Sequence, residues 1–412
     1  MSGGSGSDQA PGVSGPATGG SAFGGMAALL QQQAAMAGGV TLSGDAQRIL
    51  NPSFDDTRSA LVNSINNPAP RSDIQLNDKH EVAVLDGFIG GSRQEPAHGF
   101  GVADVVRQTT GLNNDQIALV SDNVPVMGQP SPSRLLTAPG NASASERLDA
   151  YIETETARGL SSTSTALEAL ADQKDSNAPN LRGVNYSTSG TDLNGFMALN
   201  KMAFSSGPNG QKALTPEGRV IFEGLGIKPD GSKESMRQFA QRGTDRWGEV
   251  VDNSELVQGQ LQRHEAVSKR LQEQGVHYTV SAGNDGGVID DYRSVGVNMK
   301  QTADDNIYAN PYNVTVGSLD TRGTTDKSDD RLAAHSVRDP EVDFLADGVN
   351  RKINVFCQEH TVSGTSYAAP DINGRLVNLS KQNPGLSASA VQNLLRNSAG
   401  PPVEGSSVAA IR

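Results

Sequence analysis

Short apolar runs, each closed by turn-forming residues and separated by stretches of helical spacing, recur along this chain and leave few folds open to it. "VAVLDG" (82–87), "IALV" (117–120), "GVNYSTSG" (183–190), "VHYTVSAGNDG" (276–286), "YNVTVGSLD" (312–320) and "EVDFLADGV" (341–349) read as strands, several with the near-continuous apolar character of buried parallel ones. Between them, "HGFGVADVVRQTTG" (98–111), "SERLDAYIETETARGLSSTSTALEALADQ" (145–173) and "ELVQGQLQRHEAVSKRLQEQG" (255–275) carry helical periodicity. "SASAVQNLLRNSA" (387–399) adds another helix near the end. Strands that alternate with helices cannot pair as simple hairpins. They predict an α/β fold, a doubly wound, mainly parallel sheet with helices on both faces.

The organisation around this core follows from composition. Residues 1–47 contain no lysine or arginine and are crowded with Gly, Ser and Ala, which predicts a disordered leader. Residues 48–80 form a lead-in whose "SFDDTRSALVNSINN" predicts an amphipathic helix behind acidic residues. The main domain is expected over 81–400, with a short tail at 401–412. From about 193 to 252 the alternation breaks into a polar, Gly- and Lys-containing segment holding the single tryptophan, Trp247, and is expected to be a surface insertion. Its "GIKPDGSK" lacks the Gly-Lys-Ser/Thr ending of a phosphate loop and reads as a turn.

With 34 basic and 46 acidic residues the formal charge is −12, which disfavours nucleic acid and anionic membrane surfaces as partners. No apolar run approaches the roughly 18 residues of a membrane span. Cys357 is the only cysteine, so no internal disulfide can form; it is expected to be a small buried residue. The leader has neither the positive start nor the apolar length of a Sec signal. That leaves a cytoplasmic location or export by another route, and the leader's composition resembles that of bacterial type III secreted effectors. Oligomeric state is not legible.

The residues able to do chemistry stand at element ends, where open α/β sheets collect functional groups. Asp86 closes the run "VAVLD", His98 opens a helix, and Asn284 follows "VHYTVSAG". Ser366 lies in "TVSGTSYAAPDING" (361–374), which presents a puzzle. Pro370 removes a helical donor, so the segment is expected to be a glycine turn with the helix opening at Ser366 and proline within the first turn. A serine there faces free amides and the positive end of the helix dipole, good for a nucleophile and equally good for an ordinary N-cap. The dipole is also expected to disfavour protonated His98. Together the four groups suit acyl transfer, in which a histidine base activates serine, an aspartate orients the histidine, and an amide stabilises the oxyanion.

The order Asp86…His98…Asn284…Ser366 and the motifs around these residues resemble the subtilases, the subtilisin-like serine peptidases (S8 type). "VAVLDG" is similar to that family's aspartate motif, "HGFGVADVV" to His-Gly-Thr-His-Val-Ala-Gly, "VSAGNDG" to the oxyanion-asparagine motif and "SGTSYAAP" to the nucleophile motif. The resemblance implies a subtilisin-like fold and an endopeptidase with a polypeptide substrate, catalytic Asp86, His98 and Ser366, and Asn284 in the oxyanion hole. It implies substrate-binding walls at Ser187, Thr188, Ser189 and Gly190 and at Ser281, Ala282 and Gly283. No cofactor is implied for catalysis. Structural calcium occurs in the family, but "ADDN" (303–306) has no complete metal-loop spacing and reads as a solvated loop.

Several positions depart from the family pattern. Gly101 replaces the second histidine of its motif and Asp104 the final glycine; Asp371-Ile372-Asn373-Gly374 replaces His-Val-Ala-Gly; Gly87 follows Asp86 in place of serine or threonine. These departures keep two other readings in view: an impaired subtilase fold that binds peptides without cleaving them, and a sedolisin-like peptidase with a carboxyl base. The asparagine at 284 and the His98 motif count against the latter.

Overall fold

The structure, a computed structural model, describes residues 51–92, 94–122, 130–206, 212–300, 305–338, 341–408 and 410–412. The expected leader lies outside the described residues, as do Ala303 and Asp304 of the "ADDN" turn. Helix α1 (Phe54–Asn66) begins as its capping signal predicts, with Ser53 Oγ accepting from the Asp56 N–H at 3.2 Å. There follow β1 (Val82–Asp86), α2 (His98–Thr110), β2 (Ile117–Ser121), α3 (Arg134–Thr137), α4 (Ala144–Ser176) and β3 (Gly183–Tyr186). Next come α5 (Asp192–Ala203), the hairpin of β4 (Phe204–Ser206) and β5 (Lys212–Leu214), α6 (Pro216–Gly224) and α7 (Lys233–Asn253). The chain continues through α8 (Glu255–Glu273), β6 (His277–Ser281), α9 (Gly286–Ser294), β7 (Val314–Asp320), β8 (Arg331–Leu332) and β9 (Phe344–Asp347). It ends with the hairpin of β10 (Arg351–Val355) and β11 (Gln358–Val362), then α10 (Thr365–Gln382), α11 (Ala388–Ser398) and β12 (Ala410–Ile411).

The main sheet runs β2-β1-β3-β6-β7-β9-β12 with every neighbouring pair parallel, and β8 joins β7 antiparallel. Alternating side chains separate its two faces. Ala83 and Leu85 pack with the apolar sides of α4 and α8, whereas Val82 and Val84 pack with Val102 and Val106 of α2 and Val377 of α10. Both faces are therefore covered, and the doubly wound α/β expectation holds. The chain leaves β1 for β2 on one side and returns to β3 on the other, which makes the carboxyl ends of β1 and β3 a topological switch point.

The 193–252 segment is mostly helical, and its aromatic side chains point inward. Phe222 stacks on Phe239 at 4.5 Å between ring centroids, and Phe196 meets Phe239 edge-on at 5.1 Å. Trp247, expected on a surface, is buried over Gly195 and meets Tyr151 of α4 at 6.2 Å. An indole buries more area than any other side chain, and the missing Cβ at Gly195 provides its seat.

Candidate active site

Asp86 is buried at the end of β1, with His98 in front of it at the start of α2. Nδ1 of His98 lies 2.9 and 3.0 Å from Asp86 Oδ1 and Oδ2. An ionised carboxylate only accepts, so Nδ1 carries the hydrogen and Nε2 is left as the basic nitrogen. Oδ1 also accepts from the Gly87 N–H at 2.6 Å, a backbone bond that any residue could make. The unusual Gly87 therefore costs Asp86 nothing in this respect. Burial works against the charged imidazole, but the hydrogen bond to Asp86 and the charges of Asp86 and Asp122 outweigh it and hold the His98 pKa above its ordinary value. The helix dipole, expected to push the other way, does not win. A direct ion pair at hydrogen-bond distance exceeds the half-charge of a helix end.

On the other side of the crevice, Gly283 (φ +120°) turns the chain out of β6 and presents Asn284. Asn284 Oδ1 accepts from the Thr365 N–H at 2.9 Å and from Thr365 Oγ1 at 3.1 Å. A backbone N–H can only donate, so the amide oxygen must face Thr365 and Nδ2 is turned away from it, free to donate. Gly364 (φ +152°) makes the turn ahead of α10 in a conformation that favours glycine.

The helix starts one residue earlier than expected, at Thr365, and this changes the Pro370 problem. Pro370 is then the sixth helical residue, beyond the turn whose amides lack partners anyway. Its missing N–H would have bonded the Ser366 carbonyl. That carbonyl instead accepts from Ser187 Oγ at 2.8 Å, and Ser366 Oγ in turn donates to the Ser187 carbonyl at 3.1 Å. Ser366 is 8% exposed, and among the described residues no hydrogen bond joins it to His98. The ring of Tyr367, next to Ser366, lies 5.5 Å from the His98 ring, whose side chain is 41% exposed.

The predicted substrate walls come together at the strand ends. Ser187, Ser281, Ala282 and Gly283 are buried, and Thr188, Ser189 and Gly190 are half-buried. A Cβ on Gly283 would lie 3.2 Å from Ser189 Oγ, so the two walls touch there. One residue that sequence reasoning missed ties them: buried Asn306 accepts from the Gly190 N–H at 3.0 Å and donates to the Ser281 carbonyl at 2.8 Å. In the sequence it stands only as the last residue of the "ADDN" loop, with no signal of these partners. Both ends of its amide are bonded to backbone, and among the described residues no cluster of His, Cys, Asp and Glu could hold a metal ion.

The positions that differ from the motifs resembled each have their own packing or hydrogen-bond partners. A Cβ on Gly101 would come within 2.8 Å of Ile353 Cδ1 and 3.2 Å of the Tyr367 ring, so a small residue is what admits these two. Asp104 accepts from the Asn354 N–H at 2.7 Å and bonds Gln108 and Arg107, which anchors the β10–β11 hairpin to α2. Asp371 accepts from Thr109 Oγ1 at 2.7 Å and pairs with Arg351 and Arg375. Asn373 donates to the carbonyls of Val184 and His277, both at 3.0 Å, which ties α10 to β3 and β6. Cys357 is exposed rather than buried. With Phe356 it forms the tip of the hairpin, both at positive φ (62° and 51°).

Residues 231–409 match the model of the subtilase family, a span that includes Asn284 and Ser366 and begins beyond Asp86 and His98. The chain is 33% identical over 144 residues to the serine protease AprX of Bacillus subtilis (strain 168), a match covering 30% of this chain and 30% of that protein. Among solved structures it is similar to a cold adapted subtilisin-like serine proteinase, with TM-score 0.36 and 16% identity over 83% of this chain and 92% of that one. It is also similar to a lanthipeptide protease, with TM-score 0.37 and 14% identity over 86% and 92%.

Proposed function

We propose that this chain, whose residues 231–409 match the subtilase family model, is a serine endopeptidase working through Asp86, His98 and Ser366. The observation that carries the reading is the Asp86–His98 pair, which leaves Nε2 as a base on the side of the site where Tyr367, next to Ser366, lies. The reading requires the Ser366 hydroxyl to leave the Ser187 carbonyl and reach Nε2 when substrate binds. Hydrogen bonds of this kind are commonly unmade in the free enzyme and form when substrate binds.

In the first step Oγ attacks the scissile carbonyl carbon and its proton passes to His98 Nε2. The carbonyl oxygen gains the negative charge and accepts from Asn284 Nδ2 and the Ser366 N–H. Collapse of this intermediate breaks the C–N bond, the leaving amine takes the proton from His98, and the acyl group remains on Ser366. Water then repeats the sequence, giving its proton to His98 and releasing the acid. The walls at Ser187–Gly190 and Ser281–Gly283 consist of small uncharged residues, which suits an apolar side chain at the residue before the cleaved bond.

One observation favours the second reading, a peptide-binding module without turnover: Ser366 Oγ bonds Ser187 rather than His98. A fluorophosphonate probe and a peptide library separate the two. The hydrolase reading expects labelling and cleavage by the wild type, both lost by at least about 10⁵-fold in Ser366→Ala. A folded wild type that takes no label and cuts no peptide makes it a binding module.

A further inference from the structure

Beneath Ser366 runs a chain of buried polar side chains that the peptidase scheme does not use. Thr279 on β6 donates from Oγ1 to Asn185 Oδ1 on β3 at 3.0 Å. Asn185 Nδ2 donates to Ser187 Oγ at 2.9 Å, and Ser187 Oγ donates to the Ser366 carbonyl at 2.8 Å. Asn185 and Thr279 are adjacent partners in the parallel β3–β6 register, and both are fully buried.

The direction of this chain is set from its far end. The Ser366 carbonyl can only accept, so the single hydrogen of the Ser187 hydroxyl is committed to it. Ser187 Oγ must therefore act as acceptor toward Asn185, which fixes Nδ2 on that side and Oδ1 toward Thr279. Each member has one arrangement that satisfies it, and buried networks of this kind rigidify what they hold. The carbonyl at the end of the line is the one that Pro370 leaves without its helical donor. Ser187 supplies the missing bond from across the crevice, at the residue whose hydroxyl has to be aimed.

We propose that Asn185 is a positioning residue for the nucleophile: by holding the Ser187 hydroxyl on the Ser366 carbonyl it sets the start of α10, and with it the trajectory of Ser366 Oγ. The role rests on the peptidase reading. Asn185 touches no reacting atom and acts only through Ser187. A misplacement of about 1 Å at a reacting group can cost about 100-fold in rate, so the effect is measurable.

The test is a double-mutant cycle of Asn185→Ala and Ser187→Ala in the full chain. It is read as the rate constant of fluorophosphonate labelling and as kcat and KM on a cleaved peptide, with folding checked by circular dichroism. Ser187→Ala removes the hydroxyl and keeps the backbone carbonyl. Each single variant is expected to slow labelling about 10–100-fold with KM within about threefold, and the double variant to be no slower than the worse single one. Asn185→Asp keeps the side-chain shape, loses the donor when ionised, and stands in if the alanine variant does not fold; it is expected to slow labelling similarly. Losses that multiply in the double variant, or a folded Asn185 variant that labels at the wild-type rate, overturn the proposal. A wild type that does not label overturns the peptidase reading and this role with it, an outcome visible before any variant is compared.

Discussion

Asn284 and Ser366 are held by bonds between their own motifs, whereas Asp86 and His98 belong to a half of the site whose motif has been rewritten. In the first half, Thr365 orients the Asn284 amide directly and Gly364 makes the turn. In the second, the pair itself is intact, but Gly101 and Asp104 stand where the family pattern has histidine and glycine. Both positions make their own contacts. Gly101 admits Ile353 and Tyr367, and Asp104 ties down Asn354, so the β10–β11 hairpin supports α2. The lesson is that residues far from this helix in the chain decide what can stand at its surface, here Ile353 and Tyr367 beside Gly101 and Asn354 beside Asp104.

The largest separation of the two halves is expected from Asp86→Asn. It should lower kcat by about 10⁴-fold, since an amide no longer holds the imidazole in the required tautomer. His98 must be neutral to act as a base, and Asp86 raises its pKa above 6.5. The acid limb of kcat/KM therefore lies above pH 6.5 in the wild type and moves to lower pH in Asp86→Asn. An unmoved limb would detach His98 from Asp86 as a working pair. In the other half, Asn284→Ala should cost about 10²–10³-fold in kcat with little change in KM, measured on the same peptide.

Restoring the family residues sharpens the comparison further. Asp104→Gly strands the Asn354 N–H and removes the Gln108 and Arg107 contacts, so about 2–4 kcal/mol of stability should be lost in urea unfolding. Gly101→His drives a side chain into Ile353 and Tyr367 and should cost about 1–3 kcal/mol. If either variant gained stability and activity together, the hairpin would not be the support of α2 described above.

A further effect separates the histidines. Burial holds His264 and His277 at about 4, below their ordinary 6.5, so the unfolded chain binds protons that the native one does not. Their stabilising contribution is present above pH 6.5 and is lost as pH falls toward about 4. At pH 5 the loss is about 2 kcal/mol for each, seen as a lower urea midpoint than at pH 7. His98 has the opposite sign. Its raised pKa makes the Asp86 pair most stabilising below pH 6.5 and less so as pH rises through the native value. A midpoint unchanged between pH 7 and 5 would mean that the two buried rings are hydrated.

The strands of the main sheet were legible because burial on both faces demands continuous apolar runs, and a helix such as α1 because its cap and periodicity are local. The β10–β11 hairpin was not, since its turn places Phe356 and Cys357 at positive φ where the usual signal is Asn-Gly. Trp247 misled because its seat is a glycine 52 positions earlier on another helix, and a polar neighbourhood in sequence says nothing about that. Asn306 was hidden in the same way, its partners Gly190 and Ser281 lying on separate strands.

The amino-acid sequence by itself determined which residues could react and which segments would become strands and helices, because those properties depend on side-chain chemistry and short-range periodicity. Only the tertiary structure decided how a proline six residues into α10 is tolerated, what Gly101 and Asp104 pack against, and what joins the strand ends at Gly190 and Ser281. Each of those answers is a hydrogen bond or a contact between residues far apart in the chain, and its existence depends on distances that folding alone creates.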